Sequence, residues 1–329
     1  MYLPNENRYE KMQYAFCGNS GLQLPKLSLG LWHNFGGVDA FENAKAMLLH
    51  AFDNGITHFD IANNYGPPAG SAEITFGQVL RKEFANHRDE LVISTKAGYW
   101  MWNGPYGDGG SKKYLVSSLN QSLQRLQLDY VDIYYHHRFD AHTPLEETAD
   151  ALELLYKQGK TLYVGISNYS AEQTQKMVAL LQSKQVPCLI HQFKYSMFHR
   201  EPETTGLLEV LKKYGIGSIA FSPLAQGLLT DRYIAGIPQD SRAAKSHGFL
   251  QSNDVNDAVI QKVIQLQAVA KKRNQSLAEM AIAWIWEKGI TSVLIGASSV
   301  AQLQTNLQAL HSQPFSQEHI QEIENILES

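Results

Sequence analysis

Residues 90–98 read ELVISTKAG, and how this stretch is understood decides the fold. From Leu91 to Thr95 it is apolar or β-branched apart from Ser94, with no alternation of faces. A short run of that kind, closed by a glycine, suits a strand covered on both sides, as in a parallel sheet. Moving outward, similar runs recur at 27–32 and 57–60 upstream, and at 132–137, 162–167, 189–192, 218–222 and 292–296 downstream. Eight strands are therefore expected.

Helical patterns separate them. Ala44, Met47, Leu48 and Ala51 share one helical face, and Gly55 follows where a C-cap glycine belongs. Thr143, Pro144 and Glu146 have the order of N-cap, N1 proline and N3 glutamate. Ser170 with Gln173, Ser276 with Glu279 and Ser299 with Gln302 have capping-box spacing. Alternation repeated eight times predicts a closed (β/α)8 TIM barrel rather than an open doubly wound sheet. Residues 13–24, with Gly18 and Gly21, are expected to form an N-terminal β-hairpin closing the barrel floor. The connections 97–110 and 225–254 are long, which places loops with a job at the C-terminal face. No composition break divides residues 1–329, which read as one barrel domain.

Of 329 residues 44% are hydrophobic, enough for a large core, and the net charge of −4 argues against a general nucleic-acid or membrane-surface binder. Two cysteines, Cys17 and Cys188, make no disulfide framework and fit a reducing compartment. The polar N-terminus has no signal-peptide core, and no apolar run is long enough for a membrane span. A cytoplasmic location is expected.

Barrel chemistry sits at the C-terminal strand ends. Those ends carry Trp32, Asp60, Lys96, His137, Ser167 with Asn168, Gln192, Ser222 and Gly296. All but Gly296 are polar or aromatic. Strand ends are often polar simply because they are exposed, but a barrel would gather this scattered set at one mouth. Lys96 ends an apolar run and needs a partner if buried, for which Asp60 on the neighbouring strand is suited. Tyr65 follows in the loop NNYGPP. At roughly 4 Å and an effective dielectric of about 20, an ammonium favours phenolate by about 4 kcal/mol, which would lower the tyrosine toward neutrality as a general acid or base. His136 and His137 are adjacent on a strand and point to opposite faces, so they do not ligate one metal; His137 is expected inward. No metal site is expected. Trp32, Tyr99, Trp100, Trp102 and Tyr106 offer an aromatic wall, from which Trp32, Trp100 and Trp102 join Tyr65 and His137 as a substrate pocket. No G-x-G-x-x-G follows a strand, and GPYGDGGSKK lacks phosphate-loop spacing. The helix start at Ser299 could take a phosphate, although a simple cap explains it equally.

The ordered series GITHFDIANNYG, VISTKAG, LDYVDIYYHHR, VGISNYS, IHQFKYS, AFSPLAQGLLT and VLIGASS resembles the aldo-keto reductase superfamily along essentially the whole chain. ANNYGPPAGSAE, the long segment after VISTKAG and GIPQDSR look like its bacterial branch related to potassium channel β-subunits. The resemblance implies a tetrad: Tyr65 as general acid, Lys96 lowering its pKa, Asp60 holding Lys96 charged, and His137 orienting the carbonyl. It implies NADPH (or NADP+) bound without a Rossmann domain, with hydride delivered by the nicotinamide. Ser167, Asn168 and Gln192 would hold the carboxamide, alongside Trp32 and Asp60, and Phe221 would stack on the ring. Ser222, Pro223, Leu224, Gln226 and Gly227 would line the pyrophosphate, with Arg232 and Gly296 nearby. Arg242, Ser298 and Gln302 would surround the 2′-phosphate, and Asn306 the adenine; arginines favour NADP over NAD. Where channel β-subunits commonly carry asparagine this chain has His137, which favours turnover.

The expected activity is thus NADPH-dependent reduction of a small carbonyl substrate, such as L-glyceraldehyde 3-phosphate or methylglyoxal, by a homo-oligomer of four or more copies. Arg138 and Arg200 are candidates for a substrate phosphate, with surface ion pairs as the competing explanation. The alternatives are an NADP(H)-sensing regulatory subunit with little turnover, and a Schiff-base aldolase on Lys96.

Overall fold

In the computed structural model the described residues are 2–239, 241–244 and 250–329, and the side chain of Arg242 lies outside them. A hairpin of β1 (Tyr14–Phe16) and β2 (Gln23–Pro25) comes first. The eight expected strands follow: β3 (Leu27–Gly30), β4 (His58–Asp60), β5 (Val92–Ala97), β6 (Val131–His136), β7 (Thr161–Ser167), β8 (Cys188–Lys194), β9 (Gly217–Phe221) and β10 (Ser292–Ile295). They pair in the order β10-β3-β4-β5-β6-β7-β8-β9 and close a parallel barrel. Trp32 falls in the loop beyond β3 rather than on the strand.

The pleat sorts the side chains. Along β6, Ile133 and Tyr135 enter the barrel interior with Leu189, Ile190, Ile219 and Leu294. Tyr134 points outward and donates its hydroxyl to the Leu115 carbonyl at 2.9 Å. The helix Phe41–Asp53 buries the face anticipated for it, and Gly55 takes the left-handed conformation just beyond. Ser170 and Ser276 form full capping boxes. Two cap expectations need correction. Thr143 does not cap; its hydroxyl donates to Asp140 Oδ2 at 2.6 Å, and extended Pro144 takes the N-cap position. Ser299 accepts from the Gln302 N–H, but the Gln302 side chain turns to Ser298 instead of returning to Ser299.

The hairpin closes the floor, as expected. Cys17 and Leu24 belong to the interior cluster, and the Ser292 hydroxyl at the base of β10 donates to the Pro25 carbonyl at 2.7 Å. Gly217 makes the contact possible, since a Cβ there would meet Cys17 Sγ at 2.2 Å. Among the described residues no helix is long and apolar enough to cross a membrane.

Candidate active site

The registers of β4 and β5 place Asp60 beside Ser94 and leave Lys96 one inward step higher. Lys96 Nζ donates to Asp60 Oδ2 at 2.5 Å and to the Ile61 carbonyl at 2.7 Å, with both side chains fully buried. Asp60 Oδ1 accepts from Ser94 Oγ at 2.6 Å and from Gln192 Nε2 at 3.1 Å. Burial pushes the Lys96 ammonium down, and Asp60 opposes that. Behind β5, buried Glu73 accepts from Thr95 Oγ1 at 2.6 Å and from Arg125 Nε at 2.7 Å, tying the strand to two helices.

Tyr65 sits on the loop after β4. Its carbonyl accepts from the Gly70 and Ala72 N–H groups, which pins the loop to the helix Ser71–Lys82. Lys96 Nζ lies 5.1 Å from the Tyr65 ring centre. The expected lowering of this phenol is not what the site produces. Burial pushes Tyr65 well above its ordinary value, and the Asp60 charge adds to that. Burial away from water costs the phenolate more than the Lys96 charge, which is shared with Asp60 and the Ile61 carbonyl, returns. Tyr65 is therefore a phenol at neutral pH, the form in which a proton can be given away.

His137 follows β6, its N–H bonded to the Ala97 carbonyl at 2.9 Å. Its ring meets Tyr65 at 5.9 Å and Tyr99 at 4.7 Å, both edge-on. Burial, then Lys96, pushes it well below the usual histidine range, so the imidazole is neutral. His136 points the other way, with Nδ1 2.5 Å from the Tyr169 hydroxyl. The two histidines thus diverge, with His137 on the side of Tyr65.

The aromatic wall is Trp32, 6.1 Å from Tyr65, together with Tyr99. Trp102 packs on Tyr114 at 5.1 Å, and Trp100 is 54% exposed on the rim. Tyr99, rather than Trp102, is in contact with His137. The sequence marked Tyr99 as one of an aromatic cluster and gave nothing to single it out. Clefts of about 410 and 360 Å³ lie among the outer helices and include none of these groups.

On the other side of the mouth, Asn168 is left-handed and donates to the His137 carbonyl and to Ser167 Oγ, both at 3.0 Å. Phe221 ends β9, half-buried, and Ser222, Ala225, Gln226 and Gly227 after it all have positive φ, between 46° and 101°. Such a run in mostly non-glycine residues is strained backbone of the kind found at ligand clamps. Pro223 is buried, Leu224 packs on the core, and Arg232 is exposed further along. Beyond β10, Gly296 is open to solvent, and Ser298 and Gln302 are exposed at the start of the helix Val300–Leu307.

A model of the Aldo/keto reductase family matches residues 26–328. The chain belongs to the aldo/keto reductase family. It is 54% identical over 328 residues to proteins named L-glyceraldehyde 3-phosphate reductase from Escherichia coli O157:H7 and from Escherichia coli strain K12, covering 98% of this chain and 95% of each relative. This aldo/keto reductase is accordingly an oxidoreductase, and its family generally uses nicotinamide cofactors. The residues present fit such a group. Asn306 is buried, yet its Nδ2 has no protein partner among the described residues, a donor that adenine could take up. The left-handed turn after β9 and the open Gly296 leave backbone accessible to a phosphate.

Proposed function

We propose that this aldo/keto reductase reduces small aldehydes or ketones to alcohols with NADPH, and that Tyr65 is the proton donor. The observation that carries the reading is the meeting of Tyr65, His137 and the Asp60–Lys96 pair at one aromatic-walled mouth. When bound, the nicotinamide would be the source of the hydride for the carbonyl carbon. The Tyr65 phenol, protonated at neutral pH, passes its proton to the carbonyl oxygen as charge develops there. Lys96 stands over the resulting phenolate and stabilises it. Neutral His137 offers a ring N–H to the same oxygen and fixes its direction, and the aromatic rings exclude water. Ser167, Asn168 and Gln192 would hold the carboxamide, Phe221 the ring, and Ser298, Gln302, Arg232 and Arg242 the phosphates, the last two favouring NADP.

The relatives' names support L-glyceraldehyde 3-phosphate as a substrate, with methylglyoxal as a smaller candidate. Arg138 is the better candidate for its phosphate: it borders Tyr99 at 5.1 Å and, though paired with the exposed Asp108 at 3.0 Å and donating to the Gly98 carbonyl, is itself partly exposed. Arg200 is engaged by Glu203 and Glu324 away from these groups.

The test is NADPH oxidation at 340 nm with both substrates, comparing wild type with Tyr65→Phe. Turnover that drops by about 10²–10⁴-fold in the variant, with NADPH still bound, is expected. A folded wild-type protein that binds NADPH but reduces neither aldehyde would overturn the reading in favour of a cofactor-sensing subunit.

A further inference from the structure

A column of polar side chains runs through the barrel interior from floor to mouth, and the chemistry proposed above uses only its top. It begins at Ser292 Oγ, 2.7 Å from the Pro25 carbonyl and 2.7 Å from Ser28 Oγ. Ser28 Oγ lies 2.8 Å from His58 Nδ1, and His58 Nε2 lies 3.0 Å from Ser94 Oγ. Ser94 Oγ then donates to Asp60 Oδ1, whose other oxygen holds Lys96. Every member is buried. No apolar packing demand explains four hydroxyl and imidazole groups in the middle of a barrel, where uncompensated polar groups are costly.

Counting hydrogens fixes the direction of the chain. The Asp60 carboxylate in its ion pair can only accept, so Ser94 spends its single hydrogen there. The Ser94 oxygen must therefore accept from His58, which makes Nε2 the protonated nitrogen. Burial keeps the ring neutral, so Nδ1 is left as an acceptor and the Ser28 hydroxyl donates to it; Ser292 spends its hydrogen on the Pro25 carbonyl, and the Ser28–Ser292 contact carries none. Above Ser292, each hydrogen points up toward the carboxylate, so the dipoles reinforce one another. The charged and titratable groups facing the column are Asp60 and Lys96, with Tyr65, Tyr135, Glu73 and His137 around that pair.

We propose that His58 is a positioning residue: as the Nε2–H tautomer it locks the Ser94 hydroxyl onto Asp60, and so keeps the carboxylate turned to Lys96. The role rests on the reductase reading, because it acts through Lys96 on the proton donor. Without His58, Ser94 is free to rotate, Asp60 loses a fixed donor on one oxygen, and the Lys96 ammonium is held less firmly over Tyr65.

Two measurements test it. Nitrogen–proton correlation spectra of the histidine-labelled protein without cofactor should show His58 neutral, with the proton on Nε2, at pH 7; the Nδ1–H tautomer or an imidazolium would overturn the proposal whatever the enzyme does. Steady-state kinetics should then show kcat about tenfold lower in His58→Leu with KM little changed. His58→Gln, whose amide nitrogen can replace the Nε2 donor, should recover most of it. Equal loss in both variants, or none in a folded His58→Leu, sinks the idea. If His58→Leu does not fold, Ser94→Ala must show the same kcat loss for the proposal to stand. Absence of turnover in the wild type would instead count against the reductase reading, and the spectrum would still decide the tautomer.

Discussion

The two halves of the barrel mouth are built differently. On the side of β4 to β8 the buried charges are paired within the protein, although the Tyr135 hydroxyl and His137 Nδ1 have no protein partner among the described residues: Lys96 is held by Asp60 and Ile61, Asp60 by Ser94 and Gln192, Glu73 by Thr95 and Arg125. On the side of β9 and β10 no such charged pair closes the mouth among the described residues; the backbone is left-handed and strained at Ser222, Ala225 and Gln226, Gly296 is exposed, and buried Asn306 Nδ2 has no protein partner among the described residues. A group that must act the same way in every cycle is best fixed by its neighbours. A surface that takes up and lets go of a large ligand must keep donors uncommitted.

The contrast can be broken most severely at Lys96. Lys96→Met leaves the buried Asp60 charge alone and should cost about 3–5 kcal/mol of stability, read by urea unfolding. The double variant Lys96→Met, Asp60→Leu should regain most of it, though not activity; if it does not, the loss does not come from leaving the Asp60 charge unpaired. Acid gives the next effect. Burial pushes His58 and His136 down to about 4 and His191 down to about 3, and these belong to β4, β6 and β8. Their folded values lie below the unfolded value, so the unfolded chain takes up protons first. Stability is full above about pH 6.5 and falls as pH drops toward 4, each histidine removing about 2 kcal/mol between pH 7 and 5. Hydrogen exchange at pH 5 should accelerate in β4 to β8 before β9 and β10; uniform loosening would erase the distinction.

Smaller effects belong to the open half and the rim. Asn306→Leu should weaken NADPH binding about tenfold while leaving the melting temperature of the cofactor-free protein unchanged or raised, since an unpaired buried donor is removed. A drop in melting temperature would mean that Asn306 serves the fold. Trp100→Ala, on the exposed rim, should raise KM for the aldehyde only a few-fold with kcat unchanged, an effect under about 1 kcal/mol.

The same division marks what could be read from the chain. All eight strands were legible because fully buried strands are written as apolar runs, and the residues at their ends followed from barrel geometry. The state of Tyr65 was not legible, because the sequence shows neither how deeply the phenol is buried nor that the Lys96 charge is shared with Asp60. Thr143 has the spacing of a cap, yet Asp140 three residues earlier wins its hydroxyl. The turn after β9 was hidden because serine, alanine and glutamine announce no left-handed backbone as glycine would. Ser28, His58, Ser94 and Ser292 carry no motif at all; only the closed barrel brings them into line.

That closure has a consequence for how the chain is made. The Ser292 hydroxyl meets the Pro25 carbonyl across 267 residues, and Val293 N–H meets the Lys26 carbonyl. A growing polypeptide therefore carries Asp60, Tyr65, Lys96 and His137 long before anything can shut the ring beneath them. A fragment ending ahead of β10 would display each signature stretch and hold none of these side chains at working distance, so its inactivity would say nothing about their chemistry.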